Sequence, residues 1–280
     1  MVMLNLKTLA KRYETREFLD GDPSWFMHQV EGVANKELLA FIASSLSYGS
    51  RKQFLPKIQY ILDCSKGEVE GWLTSGQFRK DIPDDEGCYY RLYTNHTMRQ
   101  FLEALTTMLR EYGTMKAYIE TELNKIPPYP SRRAIDAIKA IVWWFQIKVN
   151  VLRQGSGEQS SEPVPVNVPV PVNVSVIPKD CSSSCKRICM FLRWMVRDHS
   201  PVDLGLWTDI IDKRTLIMPL DTHVMQEANR LGLLSTKTTS MSTAIRLTEK
   251  LKETFPDDPL KGDFALFGIG VGSFISQKQE

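Results

Sequence analysis

Apolar residues recur at three- and four-residue spacing along most of the chain, which predicts helices. Leu38, Leu39, Ile42 and Leu46 mark a buried stripe at the head of residues 36–62, and Tyr48-Gly49-Ser50 reads as a break between two helices there. Residues 64–94 carry Gly67, Gly71, Gly76, Pro83 and Gly87 and read as a connecting region with one short helix near 68–73. Helical spacing returns over 97–110 (Phe101, Leu102, Leu105, Leu109) and over 114–124, and Ile126-Pro127-Pro128-Tyr129-Pro130 stops it. Ser131 fits as the N-cap of a helix running to about residue 151. Three more helices are expected over 182–197, 222–231 and 242–254, and a short, apolar, Gly-rich one within 263–274. No stretch alternates convincingly with a period of two. The pattern predicts an all-α fold, residues 1–280 forming one helical domain with two lobes.

Residues 154–178 interrupt this pattern. They open with Gln154-Gly155-Ser156-Gly157, and the hexapeptide at 163–168 (PVPVNV) repeats at 169–174. Five of the fifteen prolines fall here, and no charge lies between Glu162 and Lys179. The composition reads as an extended insertion or linker. A partner-binding strand is the alternative, opposed by proline at alternate positions.

Composition is that of a folded protein: 42% hydrophobic, 24% charged and 10% aromatic. No apolar run reaches the roughly 20 residues of a membrane span, and the start of the chain lacks a secretory pattern. Five cysteines form no disulfide-like framework, so a cytoplasmic setting is expected. A net charge of +2 excludes a protein that coats nucleic acid by bulk charge. The charge is unevenly spread, however. Residues 181–197 hold Lys186, Arg187, Arg193 and Arg197 against no acid, and residues 131–153 hold five cations against Asp136 alone.

At about 100° per residue, Lys186, Met190, Arg193 and Arg197 share one face of the 182–197 helix, while Ile188, Phe191, Leu192 and Met195 share the other. This reads as a surface helix with a basic face. Lys186 falls in the first turn, where the helix dipole opposes a cation. Such a lysine suits a phosphate contact or an amine nucleophile. Cys181, Cys185 and Cys189 recur every four residues beside it. Without a Cys-x-x-Cys pair or a neighbouring histidine they read as packing residues, and no metal is expected. Downstream, Asp221 is placed to cap the helix that begins at Thr222.

Leu220-Asp221-Thr222-His223-Val224, followed by Ala228-Asn229-Arg230-Leu231-Gly232-Leu233, resembles the "VDTHV…NRLGL" segment of helix-hairpin-helix base-excision DNA glycosylases, the endonuclease III-like superfamily. Cys185-Lys186-Arg187-Ile188-Cys189-Met190 resembles the lysine-bearing helix start of its bifunctional members, and residues 37–47 resemble an early core helix. The likeness covers roughly 20–152 and 179–275, the latter part (179–280) carrying the Lys/Asp segments. The whole chain looks closest to an uncharacterised bacterial family distantly related to those enzymes.

The resemblance implies a helix-hairpin-helix glycosylase-like fold with a cleft between its lobes, acting on damaged double-stranded DNA with the target nucleotide flipped out. Lys186 would attack the sugar and form a Schiff base, and Asp221 would be the catalytic carboxylate. Ser183, Ser184, Arg187, Arg193 and Arg197 would contact DNA. Trp194, Trp207, His223, Tyr48 and Phe267 are candidates for the pocket. No cofactor is implied: no cysteine follows Cys189 to build the superfamily's iron–sulfur site. A nucleoid-associated location follows.

The pattern also departs from the superfamily. Its Gly-x-Gly turn before the lysine is replaced by Asp180-Cys181-Ser182-Ser183-Ser184-Cys185, and the loop 198–218 is longer. A catalytically inactive DNA- or RNA-binding relative, or a helical protein-interaction module, are the alternative readings.

Overall fold

The computed structural model describes residues 2–130, 132–148 and 175–276. The Pro/Val repeats at 163–174 lie outside the described residues. The fold is predominantly helical, as expected, with one two-stranded sheet among the described residues. The helices are α1 (Val2–Tyr13), α2 (Val33–Leu46), α3 (Arg51–Ser65), α4 (Val69–Thr74), α5 (Phe78–Asp81), α6 (Asn95–Tyr112), α7 (Met115–Leu123), α8 (Ala134–Trp143), α9 (Lys186–Val196), α10 (Thr222–Arg230), α11 (Met241–Lys252) and α12 (Lys261–Ser276). No helix among the described residues is long and apolar enough to cross a membrane.

Helix α2 is the axis of the molecule. Every residue from Glu37 to Leu46 is buried, so beyond its first turn the helix has no solvent face, and α9 packs against it. The break expected at Tyr48-Gly49-Ser50 separates α2 from α3, and Gly49 supplies the left-handed backbone (φ 86°) that the turn needs. Buried Glu37 accepts hydrogen bonds from Trp207 Nε1 (2.8 Å), Met115 N (2.9 Å) and Lys116 N (3.2 Å). It thereby ties α2 to the N-terminus of α7 and to the loop after α9. Burial pushes its carboxyl above the usual range, against these donors.

Three expectations need correction. First, a small antiparallel hairpin, β1 (Cys88–Tyr90) and β2 (Tyr93–Thr94), occupies the connecting region. Strands this short give no readable alternation. Second, the helix expected from Ser131 starts at Ala134, whose N–H donates to Thr215 Oγ1 at 2.9 Å, a partner 81 positions away. Third, the helix expected over 182–197 begins only at Lys186. Ser183 instead bridges Ser240 in antiparallel pairing, and Met241 N donates to Ser182 O at 3.2 Å.

Helices α1 and α12 pack side by side. Gly268 permits that approach, since a β-carbon there would collide with the Tyr13 ring.

Candidate active site

Lys186 is the first residue of α9, and Cys185 before it adopts left-handed backbone (φ 46°, ψ 37°). Glycine reaches that conformation most easily. The turn ahead of the lysine is therefore made without glycine, held by Ser184 Oγ donating to Leu220 O at 2.8 Å. The same bond joins this turn to the residue before Asp221.

Asp221 is the N-cap of α10. Its Oδ1 accepts from Val224 N at 2.8 Å, and its Oδ2 accepts from Lys186 Nζ at 2.6 Å. Both side chains are about one-third exposed, so the pair is reachable from solvent. Burial alone would raise the Asp221 carboxyl. The Lys186 charge and hydrogen bond, the Val224 N–H and the nearby His223 outweigh it and hold the group below the usual carboxylate range.

The pair lines a cavity of about 490 Å³, within the size range of small-molecule sites. Its residues come from distant parts of the chain. Phe18 and the Asp22–Arg51 ion pair (3.2 Å) come from the first part, Met190 from α9, and Asp263, Leu266 and Phe267 from α12. Asp263 is bonded to Arg193 Nη1. Burial pushes the Asp263 carboxyl upward, while the Arg193 and Lys186 charges pull it back. A carboxylate–amine pair beside aromatic walls can bind a planar polar ligand and present an amine to it.

The sequence-based site residues fare unequally. Lys186, Asp221, His223 and Phe267 all line the cavity, His223 as an exposed residue. Trp194 and Trp207 do not line it. Both are fully buried, and Trp207 packs edge-on against Phe191 (5.2 Å) while donating to Glu37. Tyr48 stands exposed at the α2–α3 turn, where the Arg91 and Arg187 guanidiniums lie 4.9 Å and 5.9 Å from its ring centre.

The basic face of α9 is the main correction. Arg193 and Arg197 are 3% and 0% exposed. Arg197 binds Asp258 (2.8 Å), Glu14 (2.6 Å) and Asp203, and Arg193 binds Asp203 (3.2 Å) and Asp263. Neither is available to a DNA phosphate. The helical wheel was right about which residues share a face, but the Arg193–Arg197 part of it is packed against Glu14 just after α1, Asp203 in the 198–218 loop, Asp258 just before α12 and Asp263 within α12. Arg187 is half-buried and donates to Ser45 O (2.6 Å) and Tyr93 OH (2.8 Å), without a carboxylate partner among the described residues. Ser184 is buried and its hydroxyl is already used, so it cannot hold a phosphate, whereas Ser183 is exposed.

Sequence reasoning missed Asp22, Arg51, Phe18 and Asp263 as site residues. Asp22 carried a readable signal as the cap ahead of Pro23, and its side chain accepts from Ser24 N. Nothing in sequence joined it to Arg51. Among the described residues no group of three or more His, Cys, Asp or Glu is placed to hold a metal ion. Cys185 and Cys189 are buried.

The class defined so far is a helical protein with a solvent-reachable lysine–aspartate pair in a cavity. Residues 22–272 match a family described as a protein of unknown function, DUF2400, and the chain belongs to that family. No curated protein and no solved structure matches it.

Proposed function

We propose that this protein is a DNA glycosylase and abasic-site lyase acting on a flipped, damaged nucleotide, with Lys186 as nucleophile and Asp221 as its carboxylate partner. The observation that carries the reading is the 2.6 Å contact between Lys186 Nζ and Asp221 Oδ2 at the wall of the cavity. The reading includes a helix-hairpin-helix glycosylase-like fold of two lobes. It is supported by a cavity that draws on both ends of the chain and by the place of Lys186 at a helix start, and the glycine-free turn ahead of that lysine remains its departure from the superfamily.

In this mechanism Lys186 gives up a proton and its amine attacks the sugar C1′. The C1′–N bond breaks, and its electron pair leaves with the base, which takes up a proton. Asp221 opposes the positive charge that develops on the sugar. The C1′–O4′ bond then breaks, O4′ taking its electron pair and a proton from the attached nitrogen, which leaves a protonated Schiff base. A C2′ proton passes to water as the C3′–O bond breaks and the 3′ phosphate leaves with its electron pair. The rigid cap geometry of Asp221 keeps the carboxylate in place throughout. Phosphate contacts fall to Arg187 and Arg91 around Tyr48 rather than to Arg193 and Arg197.

The test is borohydride reduction in the presence of a duplex bearing an abasic site. A covalent adduct is expected with the native protein and is lost in Lys186→Ala. Duplex binding without any adduct would favour a non-catalytic DNA-binding protein instead.

A further inference from the structure

Of the other carboxylates lining the cavity, Asp22 is engaged by Ser24 and Arg51 and Glu227 by Arg230, whereas Asp263 keeps acceptor capacity to spare. Asp263 lies in the first turn of α12 with its side chain 17% exposed to the cavity. Oδ2 is bonded to Arg193 Nη1, and Arg193 is itself fixed by Asp203 at 3.2 Å, so the carboxylate cannot swing away. Oδ1 accepts no hydrogen bond from the described residues. An ionised carboxylate has roughly four lone-pair sites, and Arg193 takes one, which leaves room on both oxygens.

Phe267, one helical turn along α12, lines the same cavity. Its ring meets Phe18 edge to face at 4.9 Å, and Met190 and Leu266 extend the apolar wall. An aromatic and aliphatic wall beside a fixed carboxylate is a site for a heterocycle read along one edge.

We infer that Asp263 is the base-reading residue of the cavity and that the flipped base is of the guanine type. This inference rests on the glycosylase reading above. A carboxylate accepts hydrogen bonds and donates none. The guanine edge presents N1–H and the 2-amino group side by side, two adjacent donors. Adenine and cytosine edges set an amino group beside an acceptor nitrogen, and thymine and uracil set one N–H between two carbonyls. Those edges would place an acceptor against the carboxylate, and a site built for hydrogen bonds rejects such a mismatch strongly.

The test compares single-turnover excision from duplexes carrying 8-oxoguanine, hypoxanthine (which keeps N1–H but lacks the 2-amino group) or thymine glycol, with abasic-site adduct formation as the reference. Native protein is expected to process 8-oxoguanine about ten-fold faster or more than the other two. In Asp263→Asn, which swaps one acceptor for a donor, the ratio of 8-oxoguanine excision to abasic adduct is expected to fall about ten-fold or more. Native protein that forms the abasic adduct without preferring 8-oxoguanine overturns the inference and leaves the lyase reading standing. So does an Asp263→Asn variant that keeps the preference. If no abasic adduct forms at all, the lyase reading and this inference fall together. If the variant does not fold, the ranking by native protein decides.

Discussion

Lys186 and Asp221 stand 35 positions apart and meet at 2.6 Å because one carboxylate serves two elements. Oδ1 caps α10 through Val224 N, and Oδ2 holds the amine at the start of α9. Structure and chemistry at Asp221 can therefore be separated by choice of substitution.

Asp221→Asn keeps an oxygen for the cap and loses the charge facing Lys186. At neutral pH the unfolding temperature is expected to fall modestly, through loss of the ion pair but not of the cap, while on the glycosylase reading single-turnover excision falls about 100-fold or more. Asp221→Ala removes the cap as well, at a further cost of about 1 kcal/mol in an unfolding titration. The native pair also has a defined pH window. The Asp221 carboxyl is held below its ordinary value, so its stabilisation is present above about pH 4 and is lost only as pH falls further. Native protein and Asp221→Asn should converge in stability in strong acid.

Arg197 is a structural cation. Arg197→Ala would leave Glu14, Asp203 and Asp258 facing one another without their shared partner. Removing one member of a buried ionic group costs about 3–5 kcal/mol, a fall of roughly 10 °C in a chain of this size. Differential scanning calorimetry checks this. A variant that melts like the native protein would contradict the buried network.

Arg91 belongs to the opposite class. It sits exposed at the hairpin turn over the Tyr48 ring. If duplex DNA is held there, Arg91→Ala should lower the slope of log affinity against log salt by about one, with unfolding temperature unchanged. Fluorescence anisotropy across a salt series gives the slope. An unaltered slope would move the DNA path away from the hairpin.

Glu37 provides a pH test of the core. Its carboxyl is raised by burial, so the folded chain binds that proton more tightly than the unfolded chain does. The resulting stabilisation is complete below about pH 4.3 and is lost as pH rises through the folded-state value. Glutamine does not titrate. The stability of native protein relative to Glu37→Gln should thus be greatest in mild acid and shrink toward neutrality, as measured by denaturant unfolding at several pH values.

How much of this was legible beforehand differs by element. Helices α3, α6, α7, α10 and α11 were readable because each has an apolar stripe of helical period against a polar remainder, and α2 because Leu38, Leu39, Ile42 and Leu46 keep that spacing even though the helix is buried all round from Glu37 to Leu46. The 88–94 hairpin was not, being too short for a period to show. Helix α1 went unread because its buried face, Leu6 and Ala10, is completed only by packing on α12. The candidate pair was legible as two separate motifs, a lysine at a helix start and an aspartate at a cap. Arg51 and Asp263 carried no such local signature, and Asp22 was legible only as a cap ahead of Pro23, not as a cavity residue.

The sequence by itself determined the helical character, the Tyr48–Ser50 break, the capping role of Asp221 and the shared face of Lys186, Arg193 and Arg197. All of these follow from spacing within a few residues. Tertiary structure alone decided what that face meets. It turned Arg193 and Arg197 inward against Glu14, Asp203, Asp258 and Asp263, sent Trp194 and Trp207 into the core, and brought Lys186 to Asp221. A helical wheel encodes direction around one axis. Whether that direction leads to solvent, to a buried acid or to a cavity depends on residues far away in the chain, and only the packed fold places them.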